Sequence, residues 1–457
     1  MPFTTDHDAG RGSMSDRTGG MSLGILSARA FSLVGARVAG NGLTLIYTLM
    51  LARMVSPGDF GVVMSGFAWA MLLSVGLTLN VESGAIRYLV RYREGARARL
   101  AAGFIRFNRM LIALLMVPVA VPIVVTWGNG RAAFPDPDAQ VMLLAVAAAP
   151  VAALTRVHAR HAAAMGQVLR GGVPLLLLRP AVICALMAGI WSIDGEADNR
   201  LLLMVLLVAF LATAIVQAVL LCETFAVMGQ ARPDYGEARH WLGTGLMLAP
   251  LLLLRDNLKH VVVVSAGLVL GLSQVGHVAL ALSVIGLLSF AVKAVDIVVS
   301  PQLSQAFQAR DLARVTGLLQ AGSRLKAVVL LAGTGAIVFF GRWGMGLFGD
   351  EYLAAYPALL CLLLIPVAET VLGPAQIMLS AAGHAGAVFR AAGPGAVALV
   401  AAIVMGGWLA GAVGAAFGAG IGYLFQQALL HRNCRRYAGV DTSVLNLRKP
   451  SGTTWRK

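Results

Sequence analysis

The sequence predicts an all-α, polytopic membrane protein of about twelve transmembrane helices in two six-helix lobes. Its composition and its apolar runs support this prediction. Of the 457 residues, 58% are hydrophobic and only 12% are charged, whereas soluble proteins carry about 25% charged residues. Continuous apolar runs of about 20 residues, enough for a helix to cross a bilayer, recur along the chain. A soluble enzyme, a disordered chain and a disulfide-stabilised scaffold are therefore disfavoured.

Twelve segments have the length and hydropathy of a membrane span. Their approximate bounds are residues 25–52, 62–86, 108–127, 139–160, 173–192, 200–224, 241–267, 275–299, 323–343, 353–381, 389–409 and 411–431. The last two spans lie so close together that their boundary stays open. Residues 1–22 are polar and lack the apolar core of a signal peptide, so they predict a disordered cytoplasmic tail.

Charged linkers predict the orientation of the spans. Basic residues are concentrated in the linkers after even-numbered spans and in the C-terminal tail, residues 432–457. The linkers after odd-numbered spans are short and neutral or acidic. By the positive-inside rule, the even-numbered linkers and both termini are cytoplasmic. This assignment accounts for most of the net charge of +15 and leaves no need for a nucleic-acid partner.

A short repeat divides the spans into two halves. Span 1 ends in Leu-Ala-Arg-Met-Val-Ser-Pro-Gly-Asp-Phe-Gly, closing at Gly61, and span 7 ends in Ser-Ala-Gly-Leu-Val-Leu-Gly-Leu-Ser-Gln-Val-Gly, closing at Gly276. Six spans separate the two turns, and since six is even, both halves enter the membrane from the same side. The sequence therefore predicts a parallel repeat with a binding site between the lobes. The N-lobe is residues 23–224, the C-lobe is 241–431, and a cytoplasmic linker, 225–240, joins them.

Ionisable residues within the spans are the candidate functional residues, because a charge at the bilayer centre costs at least about 2.5–3.5 kcal/mol. Polar stripes with helical spacing in spans 1, 7, 8 and 10 predict a water-accessible chamber. The candidate cavity residues are Arg37, Asn41, Glu82, Arg87, Arg255, Lys259 and Lys293, and the candidate ion-coupling residues are Asp256, Asp296 and Glu369. Four basic and four acidic residues lie within the spans, and Arg87 adds a further positive charge at the mouth. The lining is therefore net cationic and suits an anionic or phosphate-containing cargo.

Structural alternatives remain for several of these residues. Lys293 with Asp296, and Asp256 with Lys259, have the spacing of ion pairs that fix helix packing. Arg87 lies near a span end, where it can extend to the membrane surface. Arg37 and Glu369 have no obvious partner in their own helices, which favours a polar cavity.

Motifs of ATP hydrolysis and metal binding are absent from the sequence. It has no GxxxxGK[ST] or HExxH motif, and its four cysteines show no metal-ligand spacing. We therefore expect no enzyme activity, no metal and no organic cofactor.

One motif resembles a known family. Residues 51–61, with Ser56-Pro57 and Asp59-Phe60-Gly61, precede a helix that ends in Glu-Ser-Gly-Ala-Ile-Arg-Tyr at 82–88. This pattern is similar to the opening of bacterial polysaccharide flippases of the multidrug/oligosaccharidyl-lipid/polysaccharide exporter superfamily. Weaker matches are Pro301, the Phe-Gly-Asp-Glu-Tyr turn at 348–352, Gly373-Pro374 with Gly383, and Gly411-x-x-Gly414. The likeness covers about residues 25–435.

The resemblance implies an inner-membrane protein whose lobes open alternately to the cytoplasm and the periplasm. The cargo would be an undecaprenyl-pyrophosphate-linked oligosaccharide repeat unit for surface polysaccharide, that is, lipopolysaccharide O-antigen or exopolysaccharide. A proton or sodium ion would be the coupling ion. Membrane lipids and polysaccharide polymerase or assembly proteins are the implied partners, and the oligomeric state stays open.

Three other functions fit the same sequence. They are a cation-coupled multidrug exporter of this superfamily, a lipid II-type flippase, and a non-transporting scaffold of a polysaccharide assembly complex. Lipid II flippases usually have fourteen spans, which counts against that subgroup. The more basic cavity counts against a drug exporter.

Overall fold

The computed structural model describes residues 15–94, 97–128, 137–193, 198–229 and 231–444, and the regular structure in these ranges is helical. The N-terminal half contains α1 (Ser15–Met54), α2 (Pro57–Thr78), α3 (Ala85–Glu94), α4 (Ala98–Gly128), α5 (Pro137–Ala164), α6 (Val168–Val173), α7 (Arg179–Ile193) and α8 (Asn199–Gly229). The C-terminal half contains α9 (Ala238–Gly267), α10 (Leu272–Gln308), α11 (Leu312–Gly346), α12 (Tyr356–Leu362), α13 (Leu364–Val371), α14 (Ala375–Ala381) and α15 (Ala385–Asn433). Short 3-10 turns occur at Val81–Gly84 and Asp350–Ala355, and short π-helical segments occur at Pro174–Leu178 and Cys434–Ala438.

The helices of the described ranges confirm a multi-pass membrane protein. Eight helical stretches are long and apolar enough to span a membrane, and the last of them, Gly386–Ala438, is long enough for two spans. Three further long helices, α1, α5 and α9, carry more ionisable residues. Together these elements give twelve spans, as the sequence predicts.

The last two spans form a hairpin that bends at the predicted boundary. Within α15 the backbone leaves helical geometry at Ala410 and Gly411, and Gly411 has a φ of 58°, which glycine adopts without steric cost. The two arms then pack closely, since a Cβ at Gly406 would lie 2.1 Å from the carbonyl oxygen of Gly414. A Cβ at Gly418 would likewise lie 2.1 Å from the carbonyl oxygen of Ala402. Small residues therefore allow direct backbone contact between the arms.

Two predicted element boundaries are corrected. α1 begins at Ser15, so residues 15–22 are helical and do not belong to a disordered tail; residues 1–14 lie outside the described ranges. Span 2 ends at Thr78 and not at residue 86, because Leu79 and Asn80 adopt left-handed conformations with φ of 46° and 56°. Two consecutive non-glycine residues in this region break a helix, and the apolar pattern alone gave no signal of the break.

The basic C-terminal tail is partly ordered. α15 runs to Asn433, and the chain then folds back so that the Val444 amide donates to the carbonyl of Val371 at 3.0 Å. The Thr442 hydroxyl donates to the carbonyl of Leu372 at 2.8 Å. This return covers the break between α13 and α14. Residues 445–457 lie outside the described ranges.

Large apolar and aromatic side chains cover the outside of the helices. Phe339, Phe340 and Trp343 on α11 are 82%, 66% and 69% exposed, and Trp408 on α15 is 79% exposed. These aromatic residues lie near the ends of spans 9 and 11, where tryptophan rings typically meet the membrane–water interface. The surface is therefore that of a lipid-facing bundle.

The two lobes meet at the turns that the sequence repeat relates. A Cβ at Gly61 of α2 would lie 2.0 Å from the carbonyl oxygen of Leu272 in α10, and a Cβ at Gly276 of α10 would lie 2.2 Å from the carbonyl oxygen of Pro57 in α2. The contacts are reciprocal, as expected of elements facing each other across a pseudo-twofold axis. α2 also packs against α9, so it lies at the centre of the contact between lobes.

Candidate functional site

One end of the contact between the lobes is tightly closed. We call it the closed end; it comprises the α1–α2 turn, the α9–α10 turn and the segment 347–352. The Arg53 guanidinium donates through Nε to the carbonyl of Leu347 at 2.6 Å, and the rings of Phe60 and Tyr352 meet edge to face with centroids 5.7 Å apart. With the Gly61–Gly276 approach, these contacts bring the two lobes into direct contact at this end.

Further from the closed end, charged side chains are exposed at the junction of the lobes. The Arg160 guanidinium of α5 pairs with the Asp256 carboxylate of α9 at 3.1 Å. Arg255 lies 3.7 Å from the same carboxylate, and its side chain is 61% exposed. Arg37 of α1 is exposed and interacts electrostatically with all three residues. We call these four residues the interlobe cluster; three cations and one carboxylate give it an excess positive charge.

The interlobe cluster has the placement expected of a water-filled chamber. Charged side chains within membrane spans face water-filled cavities or one another, and not lipid. Arg37 and Arg255 are sequence candidates that the structure brings together, with Asp256 between Arg255 and Arg160. The sequence places Arg160 at the end of predicted span 4, beside the basic linker that follows it. α5 continues to Ala164 and so places Arg160 inside the bundle.

A second set of charges lies within the C-lobe. The Lys293 ammonium of α10 pairs with the Glu369 carboxylate of α13 at 2.9 Å, and the Tyr423 hydroxyl donates to the same carboxylate oxygen at 2.9 Å. One turn further along α10, Asp296 pairs with Lys326 of α11 at 2.5 Å. We call these five residues the C-lobe network. Its two acids and two bases balance.

These pairs differ from the alternatives drawn from sequence spacing. Lys293 and Asp296 do not pair with each other, because each finds a partner on another helix. Glu369 has no partner in its own helix, as expected, and its two partners lie on α10 and α15. Lys259 pairs with no carboxylate among the described residues; its ammonium donates to the Ser283 hydroxyl at 2.9 Å.

Two candidate cavity residues lie apart from the interlobe cluster. Glu82 is 1% exposed and pairs at 2.9 Å with Arg156 of α5 inside the N-lobe. The left-handed residues Leu79 and Asn80 end α2 and precede the 3-10 turn that carries Glu82. The expectation that Glu82 lines the cavity is therefore wrong. Arg87 is exposed on α3, beyond the end of span 2. This position agrees with the alternative interpretation, in which Arg87 extends to the membrane surface.

A seam of hydrogen bonds joins the lobes beside α3. The Tyr88 hydroxyl lies 2.7 Å from the Thr244 hydroxyl, and the Tyr92 hydroxyl donates to the Glu237 carboxylate at 2.5 Å. The indole of Trp241 donates to the Tyr92 oxygen at 2.8 Å. Burial and the adjacent Glu237 raise the pKa of Tyr92 to about 12, so this hydroxyl keeps its proton and its donor role at neutral pH.

A polar pocket lies inside the N-lobe, between α1 and the segment 174–183. Arg37, Asn41 and Thr44 line it from α1, and Arg179 lines it from the start of α7. Arg179 follows a π-helical segment, and its guanidinium stacks on the Phe210 ring at 5.1 Å. Sequence reasoning missed Arg179, although an arginine in the middle of an apolar span was a visible signal. Among the described residues, no group of three His, Cys, Asp or Glu side chains is placed to hold a metal ion.

Known proteins resemble this chain in sequence over its first third and in fold over nearly all of it. Residues 26–170 match the family described as polysaccharide biosynthesis protein. The inward-facing conformation of a multidrug resistance MATE family transporter of the MOP superfamily has a TM-score of 0.67 at 13% identity, covering 90% of this chain and 96% of that chain. The chain therefore has the fold of this transporter. The resemblance seen in the sequence is thus confirmed, as are the twelve helices in two lobes.

Two further structures of similar fold extend the comparison. The lipid II flippase MurJ in an inward closed conformation has a TM-score of 0.68 at 10% identity, covering 89% of this chain and 90% of that chain. An outward-facing MATE family transporter has a TM-score of 0.55 at 15% identity, covering 92% and 94%. No curated protein matches the chain by sequence. At these identities the structural likeness establishes the fold.

Proposed function

We propose that this protein translocates an undecaprenyl-pyrophosphate-linked oligosaccharide across the bacterial inner membrane, by alternating access between its lobes, for the synthesis of a surface polysaccharide. The single observation that carries the proposal is the interlobe cluster. It places three guanidinium groups and one carboxylate in an exposed position between the lobes, within membrane-spanning helices. The family match of residues 26–170 and the flippase among proteins of like fold support this cargo class.

Arginine clusters suit a pyrophosphate group. A guanidinium donates two parallel hydrogen bonds to phosphate oxygens, and charge-assisted bonds of this kind are about twice as strong as neutral ones. Among the described residues, Asp256 is the one carboxylate near Arg37 and Arg255, and Arg160 already pairs with it. An arriving pyrophosphate would therefore meet donors that are incompletely used. The same excess of positive charge disfavours a cationic drug as cargo.

Alternating access is supported by the uneven contact between the lobes. The closed end is sealed by backbone contacts at Gly61 and Gly276. Away from that end the interlobe cluster stays exposed, and the side chain of Arg255 is 61% exposed. The fold also agrees better with an inward-facing transporter than with an outward-facing one. By the positive-inside orientation, the remote end faces the cytoplasm, where the cargo would enter.

Proton coupling is favoured over sodium coupling by the ion pairs. Each candidate coupling carboxylate already has a basic partner: Asp256 pairs with Arg160, Asp296 with Lys326, and Glu369 with Lys293. A sodium ion would have to displace an ammonium or guanidinium group. A proton only has to neutralise the carboxylate, which would release the basic partner for another anion.

A flipping assay in proteoliposomes tests the proposal. Fluorescent undecaprenyl-pyrophosphate-linked oligosaccharide is placed in both leaflets, and dithionite quenching reports how fast it crosses. Wild-type protein should accelerate crossing over empty liposomes, and Arg255→Gln should slow it by about fivefold, since an exposed charge contact contributes up to about 1 kcal/mol. Arg87→Gln is the matched control and should leave the rate unchanged. A wild-type rate equal to that of empty liposomes would refute translocation of this cargo.

A further inference from the structure

Two cations, Arg37 and Arg179, line the pocket inside the N-lobe. It has a volume of about 80 Å³, several times the space that one water molecule needs. Among the described residues, neither Arg37 nor Arg179 has a carboxylate within ion-pair distance. Asp256 acts on Arg37 electrostatically, but its carboxylate is engaged by Arg160. Cations within membrane-spanning helices are stabilised by water or by a partner of opposite charge, and two guanidinium groups at one pocket favour an anion.

The walls of this pocket are fixed by close backbone packing. A Cβ at Gly40 would lie 2.1 Å from the carbonyl oxygen of Leu176, so only glycine lets the π-helical segment approach α1 this closely. The Gln217 amide of α8 donates to the carbonyl of Gly171 at 2.7 Å. This bond holds α6, which leads into the π-helical segment, against α8. Short π-helical segments within α-helices occur frequently at functional sites. The irregularity ends directly before Arg179 and so places that side chain in the pocket.

We propose that this pocket is a binding site for a phosphate-sized anion, held between Arg37 and Arg179. Asn41 lines the same pocket and supplies amide donors, while the Thr44 hydroxyl already donates to the Gly40 carbonyl at 2.8 Å. The inference goes beyond the proposed translocation and does not depend on it. Arg37 lies at the boundary of the pocket and the interlobe cluster, so the bound anion would influence the charge that the cargo meets. The anion is either a free inorganic phosphate or the phosphate group of an anionic lipid.

Thermal unfolding of the full-length protein in nanodiscs tests this site. In phosphatidylcholine discs, inorganic phosphate is titrated at constant ionic strength, and tryptophan fluorescence reports the unfolding midpoint. A ligand that binds the folded state raises the midpoint in a saturable way. Arg179→Gln should weaken the apparent affinity at least tenfold, and Arg179→Lys should retain part of it. Arg342→Gln, which removes an exposed arginine at the end of α11, is the matched control and should bind like wild type.

A second set of discs identifies the source of the anion. If soluble phosphate stabilises the protein in phosphatidylcholine discs, the site accepts a free anion. If only discs containing phosphatidylglycerol stabilise it, and only with Arg179 present, the phosphate belongs to a lipid. Both outcomes support the site, and Arg37→Gln gives an independent variant if Arg179→Gln does not fold. The proposed site would be overturned if neither phosphate nor phosphatidylglycerol raised the unfolding midpoint of the wild type. It would also be overturned if folded Arg179→Gln and Arg37→Gln variants were stabilised as much as the wild type. Normal phosphate binding without flipping would refute the proposed translocation alone.

Discussion

Substituting Gly276 by alanine should force the closed end apart. The new Cβ would lie 2.2 Å from the carbonyl oxygen of Pro57, while real Cβ contacts essentially never fall under 3.0 Å. The backbones of α2 and α10 must therefore separate by about 1 Å, and overpacking of this kind costs about 1–3 kcal/mol. Because the cost falls only on the conformation closed at this end, the balance should shift about 5- to 150-fold toward the opposite conformation.

Pulsed electron–electron distance measurements would detect this shift. Glu351 lies in the closed end, and Arg200 follows Asn199, whose amide donates to Asp59 beside the α1–α2 turn at 2.7 Å. Spin labels at these two exposed residues would be placed in a variant lacking the four native cysteines. The long-distance population should increase at least fivefold in Gly276→Ala. Gly58→Ala is the matched control, because a Cβ there meets only the Ser56 hydroxyl at 3.7 Å. An unchanged distance distribution in Gly276→Ala would refute the reasoning that this contact seals the lobes.

Two further predictions concern the C-lobe network. Lys326→Ala leaves Asp296 without its partner and should reduce the free energy of unfolding by about 3 kcal/mol, the lower end for a buried pair, because Asp296 is still 24% exposed. As a control, Arg324→Ala at an exposed position of the same helix should change the free energy of unfolding by less than about 0.5 kcal/mol. Equal effects of the two substitutions in denaturant unfolding would show that the Lys326–Asp296 pair does not stabilise the fold. Tyr423→Phe removes a hydrogen bond to the Glu369 carboxylate and should cost about 1.5–3 kcal/mol; an unchanged unfolding curve would contradict this contact.

The apolar pattern of the sequence is sufficient to predict the spans and their division into lobes. The bend at Gly411 falls at the predicted boundary of the last two spans, and the repeat-related glycines, Gly61 and Gly276, meet in space. Span ends were less predictable, since hydropathy marks the part of a helix inside the lipid and not the helix itself. α5 continues past the predicted end of span 4, to Ala164, and α11 begins at Leu312, well before the predicted start of span 9.

Partners across helices could not be predicted from spacing. Steps of three and four residues show that Lys293 and Asp296 share a face of α10. They do not show which helices face it, and each residue pairs with a different neighbour. The sequence also gave no sign that the helix breaks at Leu79 and Asn80, because both residues fit the pattern of a continuous helix. This break leads to the 3-10 turn that buries Glu82 inside the N-lobe.

Comparing the binding of two lipids tests the central claim most directly, namely that the interlobe cluster recognises a pyrophosphate. Affinities for undecaprenyl-pyrophosphate-linked oligosaccharide and for neutral undecaprenol would be measured with the full-length protein in phosphatidylcholine nanodiscs. Wild-type protein should bind the pyrophosphate lipid at least tenfold more tightly, the double variant Arg160→Gln/Arg255→Gln should lose that preference, and Asp256→Asn should increase it. Equal affinity of the wild type for both lipids, or an unchanged preference in the double variant, would contradict the account.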